Sequence, residues 1–174
     1  DSDHNTAVGY QALKLYDNST DNFNSYNTAF GYQSGLNATG AANRNTFVGG
    51  LSGSSNTTAE LNTVVGYYAL GINEAGSQNV AIGAYCLDAY TGTNTVGVGE
   101  SCLTSLTTGT GNTAVGWESA KLLETGLYNT ALGHRTLFTN VDANANTAVG
   151  YKALYANTAA SNTAVGYEAL VDNA

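Results

Sequence analysis

The chain has 174 residues and a net charge of −8, from five Lys plus Arg against thirteen Asp plus Glu. Ala, Gly, Asn and Thr occur 25, 21, 21 and 23 times, so four small or turn-forming types fill more than half of it. A hydrophobic share of 43% with 12 Tyr excludes a disordered chain, and five cations standing apart at Lys14, Arg44, Lys121, Arg135 and Lys152 exclude the basic stripe that nucleic-acid binding needs.

No apolar run approaches the length of a membrane-spanning helix, and no charged start followed by an apolar core opens the chain, so neither membrane insertion nor a signal peptide is expected. Proline and methionine are both absent, and both ends look like ordinary repeats, so a fragment of a longer chain is expected.

Internal repetition organises all of it. In chain order the motif Asn-Thr-Ala-Val-Gly-Tyr recurs at Gly9, Gly31, Gly49, Gly66, Gly83, Gly99, Gly116, Gly133, Gly150 and Gly166, mostly 16 to 18 residues apart, with a first interval of 22. The preceding residue is always apolar: Val8, Phe30, Val48, Val65, Ile82, Val98, Val115, Leu132, Val149 or Val165. Four residues before the glycine stands Asn, replaced once by Thr95, and three after it a small residue such as Ala12, Ser34, Cys86, Cys102 or Ala153, usually followed by Leu. Looser residues rich in Asn, Thr, Gly and Asp complete each unit and read as turns.

A unit of about 17 residues cannot bury a core alone, so its neighbours must cover it, and a single-domain solenoid of ten rungs follows. β-Branched residues beside a fixed glycine oppose helix. Thr-Ala-Val-Gly-Tyr alternates along a strand, with Thr, Val and Tyr on one face and Ala and Gly on the other. The expected fold is therefore an all-β solenoid or β-roll, about 48 Å long at one strand spacing per rung. The repeat tail is less regular, and Ser119 to Glu124 suits a helical turn.

Each column admits a structural account. The glycines require positive φ or a backbone neighbour too close for a Cβ, and in a fibre that neighbour could belong to another chain. The Asn column suits either an amide ladder between rungs or a set of left-handed corners. Both strand faces look buriable, which points to self-association.

The motif resembles the Asn-Ser-Val-Ala-Ile-Gly repeats in the heads of trimeric autotransporter adhesins and the Asn-Thr-Ala-x-Gly repeats of bacteriophage and bacterial tail fibres. That resemblance spans all ten rungs and implies a homotrimeric or filamentous, extracellular, adhesive fibre segment carrying a receptor-binding surface. Val8 to Leu13, Ile82 to Leu87 and Val165 to Leu170 also resemble single hexads of left-handed β-helix acyltransferases. One hexad fits per rung, and the histidine such an enzyme needs could only be His4 or His134.

Other chemistry is sparse. The carboxylates Asp17, Glu60, Glu74, Asp88, Glu118 and Asp142 share no repeat position. No nucleophile elbow, phosphate-binding loop or zinc spacing occurs, so no cofactor, metal or enzymatic activity is expected. Cys86 and Cys102 hold one repeat position and suit small buried thiols. The aromatics Tyr10, Tyr32, Tyr67, Trp117, Tyr151 and Tyr167 are the candidate glycan contacts, because rings at one repeat position supply stacking and avidity. A Thr column raises an ice-binding filament as a further alternative. Three glycan-acceptor patterns occur, at Asn18, Asn37 and Asn56.

Overall fold

In the computed structural model, residues 4–16, 25–39 and 41–173 are described, and they contain β-strands and turns but no helix. Ten three-residue strands form one parallel sheet: β1 (Thr6–Val8), β2 (Thr28–Phe30), β3 (Thr46–Val48), β4 (Thr63–Val65), β5 (Val80–Ile82), β6 (Val96–Val98), β7 (Thr113–Val115), β8 (Thr130–Leu132), β9 (Thr147–Val149) and β11 (Thr163–Val165). Each pairs with the motif strand of the next rung, and equal repeat positions align, as in Thr113↔Thr130, Ala114↔Ala131 and Val115↔Leu132. A second, two-stranded parallel sheet joins β10 (Ala156–Asn157) to β12 (Asp172–Asn173). The expected ten-rung all-β solenoid is this fold.

The middle residue of each strand faces the core. Ala29, Phe47, Val64, Ala81, Ala114, Ala131 and Ala148 are buried, while the Thr and Val columns on either side of them look outward. Only one face of the strand is therefore covered. The interior is a narrow space between the sheet and the segment that returns after the glycine, and a small middle residue lets Leu70, Leu87, Leu103, Leu137 and Leu154 from that segment fill it.

The glycine column is explained within the chain. Its φ values run from 126° to 143°, a region closed to L side chains, and a Cβ would collide with the carbonyl oxygen of the next rung's glycine. Even at Gly49 that separation would be 2.6 Å. The close neighbour is the same chain one rung on, which corrects the expectation that a second chain approaches there.

After the glycine the chain runs through successive β-turns. In the first rung Ala12 N–H donates to Gly9 C=O, Lys14 to Gln11 and Tyr16 to Leu13, with Gln11 at φ 57° and Leu13 at φ 49°. Positive φ at the third turn residue is the type II arrangement. The same two left-handed positions recur in every rung, usually without glycine, as at Tyr85 and Leu87 or Arg135 and Leu137. Left-handed geometry costs an L residue about 1–2 kcal/mol. Bonds between rungs, such as Leu87 N–H to Cys102 C=O at 3.0 Å, and burial of the Leu side chain offset it. The same turns replace the helix expected over Ser119 to Glu124, where Ala120 lies at φ 49° and Leu123 N–H donates to Ala120 C=O.

The buried Asn column is a ladder. Asn27, Asn45, Asn62, Asn79, Asn129, Asn146 and Asn162 each donate their backbone N–H to the side-chain Oδ1 of the preceding rung's Asn, at 2.8–3.0 Å. The Nδ2 groups of Asn45, Asn62 and Asn112 reach forward to the next rung's turn carbonyls at Ala59, Gly76 and Gly126. The alternative of left-handed corners belongs one residue earlier, at Tyr26, Arg44, Leu61, Gln78, Asn94, Tyr128, Ala145 and Ser161, all with φ between 49° and 62°.

Where a rung departs from the consensus, a second departure fits it. Phe47 takes the usual Ala position, and a Cβ on Gly35 or Gly53 of the flanking turns would strike its ring. Thr95 replaces Asn, and the buried Tyr90 reaches over with its hydroxyl 2.9 Å from Thr95 Oγ1 and 2.9 Å from Thr93 C=O. Gly97 stands where a Cβ would lie 2.7 Å from Cys86 Sγ.

Candidate functional site

The outward side of the sheet carries two aligned columns. Thr and Val project from each strand, and Val8, Phe30, Ile82, Val115 and Val165 are exposed large apolar side chains. The Thr column is interrupted by Val80 and Val96, so its hydroxyls do not form one continuous array.

The aromatic column begins just past the glycine, on the first turn. All six predicted rings lie on it, but in three groups. Tyr10 stacks on Tyr32 with centroids 5.6 Å apart. Gly50 interrupts the column, and Tyr67 then packs edge-on to Tyr85 and beside Tyr68, rings from the neighbouring turn position. After Ala84 and Glu100 comes the longest run: Trp117, His134, Tyr151 and Tyr167, with successive centroids 4.7, 5.2 and 5.0 Å apart.

His134 is thus one ring in a stack, edge-on to both neighbours, and His4 stacks on Tyr26 near the other end of the molecule. About seven strand spacings, roughly 34 Å, separate the two histidines along the axis, so within this chain they cannot act together.

Beside the C-terminal ring stack lies a charged group that the sequence reading did not single out. The Arg135 guanidinium sits 4.8 Å from the Trp117 ring centroid and 5.3 Å from that of Phe138. Lys152 Nζ lies 5.2 Å from the Tyr151 ring and 5.5 Å from the Tyr155 ring, and Phe138 and Tyr155 are themselves stacked at 5.1 Å. The buried Glu118 carboxylate receives Lys121 Nζ at 2.7 Å and Arg135 Nε at 2.6 Å. Burial works to raise the Glu118 carboxyl, but the hydrogen bonds and charges of Lys121 and Arg135 outweigh it and hold it below the usual glutamate range. The signal was present in the register: Glu118, Arg135 and Lys152 occupy one repeat position on three successive rungs.

Among the described residues no three His, Cys, Asp or Glu side chains gather as a metal site, and no helix is long and apolar enough to cross a membrane. Cys86 and Cys102 are buried free thiols, and the neighbouring Cys102 thiol, with burial, pushes the Cys86 thiol up, away from the reactive thiolate. Asp88 is raised by burial and stands apart from other acids of the site. Of the glycan-acceptor patterns, Asn56 is fully buried and closed to modification in the folded chain, and Asn18 lies outside the described residues. No protein-family model matches the sequence, and the comparisons with curated proteins and with solved structures find no match.

Proposed function

We propose that this chain is a stiff segment of an extracellular fibre, a tail fibre or surface adhesin, whose role is mechanical and adhesive rather than enzymatic. The observation that carries the reading is the outward Val column: ten aligned strands leave a long apolar row on one face, with Phe30 58% and Val165 69% exposed. Apolar surface of this extent favours a partner, and a second copy of the chain carries the same row at the same spacing. Parallel association as a homotrimer is the preferred assembly, with a helical filament as the other. The neighbouring aromatic column supplies the receptor- or glycan-binding surface.

Light scattering on the purified chain tests this, with three times the 17.9 kDa chain mass expected. Val115→Lys with Val149→Lys should return a folded monomer. A wild-type monomer stable at micromolar concentration would overturn the assembly. Acyl-CoA-dependent turnover that is lost in His4→Ala or His134→Ala would replace the mechanical reading with the acyltransferase one.

A further inference from the structure

We infer that the turn side of the rungs bearing Trp117, His134 and Tyr151 is a binding site for a carboxylate-bearing saccharide, of the uronic-acid or sialic-acid class. The inference rests on the adhesive reading and names the ligand class of its aromatic surface.

The chain carries only five cations against thirteen acids, yet three of the five, Lys121, Arg135 and Lys152, fall on three consecutive rungs. On the same three rungs stand Glu118, which holds two of them, and Glu124 and Asp142, so these rungs are neutral overall and their cations are gathered rather than in excess. Glu100, one rung before Trp117, and Glu168, one rung after Lys152, bracket the patch and confine it.

The cations are also positioned. Arg135 is fixed through Nε by Glu118 and flanked by Trp117 and Phe138, which leaves its terminal nitrogens for an incoming acid. Lys152 lies between Tyr151 and Tyr155 and makes no ion pair among the described residues. Their backbones occupy the same repeat position on adjacent rungs, about 4.8 Å apart, so their side chains leave from neighbouring points of one column and can converge on one carboxylate. The exposed Trp117 ring beside them offers an apolar face for a pyranose ring. A neutral sugar would use the rings alone, whereas an acidic one also pairs with Lys152 and the terminal nitrogens of Arg135.

Trp117 is the chain's one Trp, so its fluorescence reports occupancy directly. Titration of the full chain with trigalacturonate should change Trp117 emission saturably, and neutral trigalactose should bind at least about tenfold more weakly. Added salt should narrow that gap. Lys152→Gln, which breaks no ion pair, should abolish the preference for the acid while leaving the melting temperature unchanged. Tyr151→Ala should weaken both sugars, and Tyr10→Ala neither. Equal binding of the two sugars, or a preference that survives Lys152→Gln, would overturn the inference. No response to either sugar in a protein that is trimeric by light scattering would also overturn it, and would leave the fibre reading standing.

Discussion

Rungs nine and ten keep the consensus letter for letter, whereas the stretch from Asn45 to Gly99 departs from it at Phe47, Gly53, Tyr90, Thr95 and Gly97. The backbone nevertheless repeats in both, with the same strand pairing and the same left-handed turn positions. The difference separates two kinds of column. Where a position is set by close backbone approach, as at the glycine, no substitution occurs in ten rungs. Where a position only fills volume, a large residue on one wall is matched by a missing one on the other, as Phe47 is matched by Gly35 and Gly53. The Asn column lies between, because its hydrogen bonds can be rebuilt by another polar pair, Tyr90 with Thr95.

The strongest way to break this contrast is Gly116→Val. It combines a collision with the Gly133 carbonyl and a φ of 136°, so the loss should be on the order of 4 kcal/mol or more, seen as loss of the cooperative thermal transition by circular dichroism. Because the obstruction is internal, the loss should appear in monomeric and assembled protein alike.

Phe47→Ala should cost about 3–4 kcal/mol, since it leaves a cavity walled on two sides by glycine. Adding Gly35→Leu and Gly53→Leu should recover most of this, because Leu already holds the same left-handed position at Leu13 and Leu70. A triple variant no more stable than Phe47→Ala would show that the two walls are not coupled.

Asn129→Ala should cost about 2 kcal/mol in chemical denaturation. It leaves the buried Asn146 N–H without its acceptor and Ala143 C=O with only the longer bond from Asn140 Nδ2 at 3.4 Å.

Asp88→Asn is smaller and depends on pH. Burial raises the carboxyl in the folded state, so the folded chain holds its proton more readily than the unfolded one. The ionised group therefore counts against folding at neutral pH, and that cost disappears below the usual aspartate range. The variant should melt higher than wild type at pH 7 and equally at about pH 3. Ser101→Gly is the smallest, a gain of about 0.5 kcal/mol as left-handed strain at φ 53° is relieved, partly offset by chain entropy.

Much of this was legible in the sequence, because stacking makes repeat position and spatial position the same variable. The interval between glycines gives the rungs, the Thr-Ala-Val alternation gives the strand, and six Tyr and Trp rings at one repeat position give the aromatic column. The Arg135 and Lys152 pair was equally present in the register, but its meaning depended on Phe138 and Tyr155 arriving from the next turn position.

The sequence by itself determined a parallel, in-register stack, since a unit this short has no other way to bury its apolar side chains. Only the tertiary structure decided which strand face is the inside. Alternation marks two faces without ranking them, and Val would be the usual choice for a core, yet the small Ala faces inward because Leu from the opposite wall needs the space. The structure also decided that the left-handed turn positions fall on residues such as the buried leucines rather than on the asparagine column. That preference reverses the local one, and it holds because rung-to-rung hydrogen bonds and burial outweigh a backbone strain of about 1–2 kcal/mol.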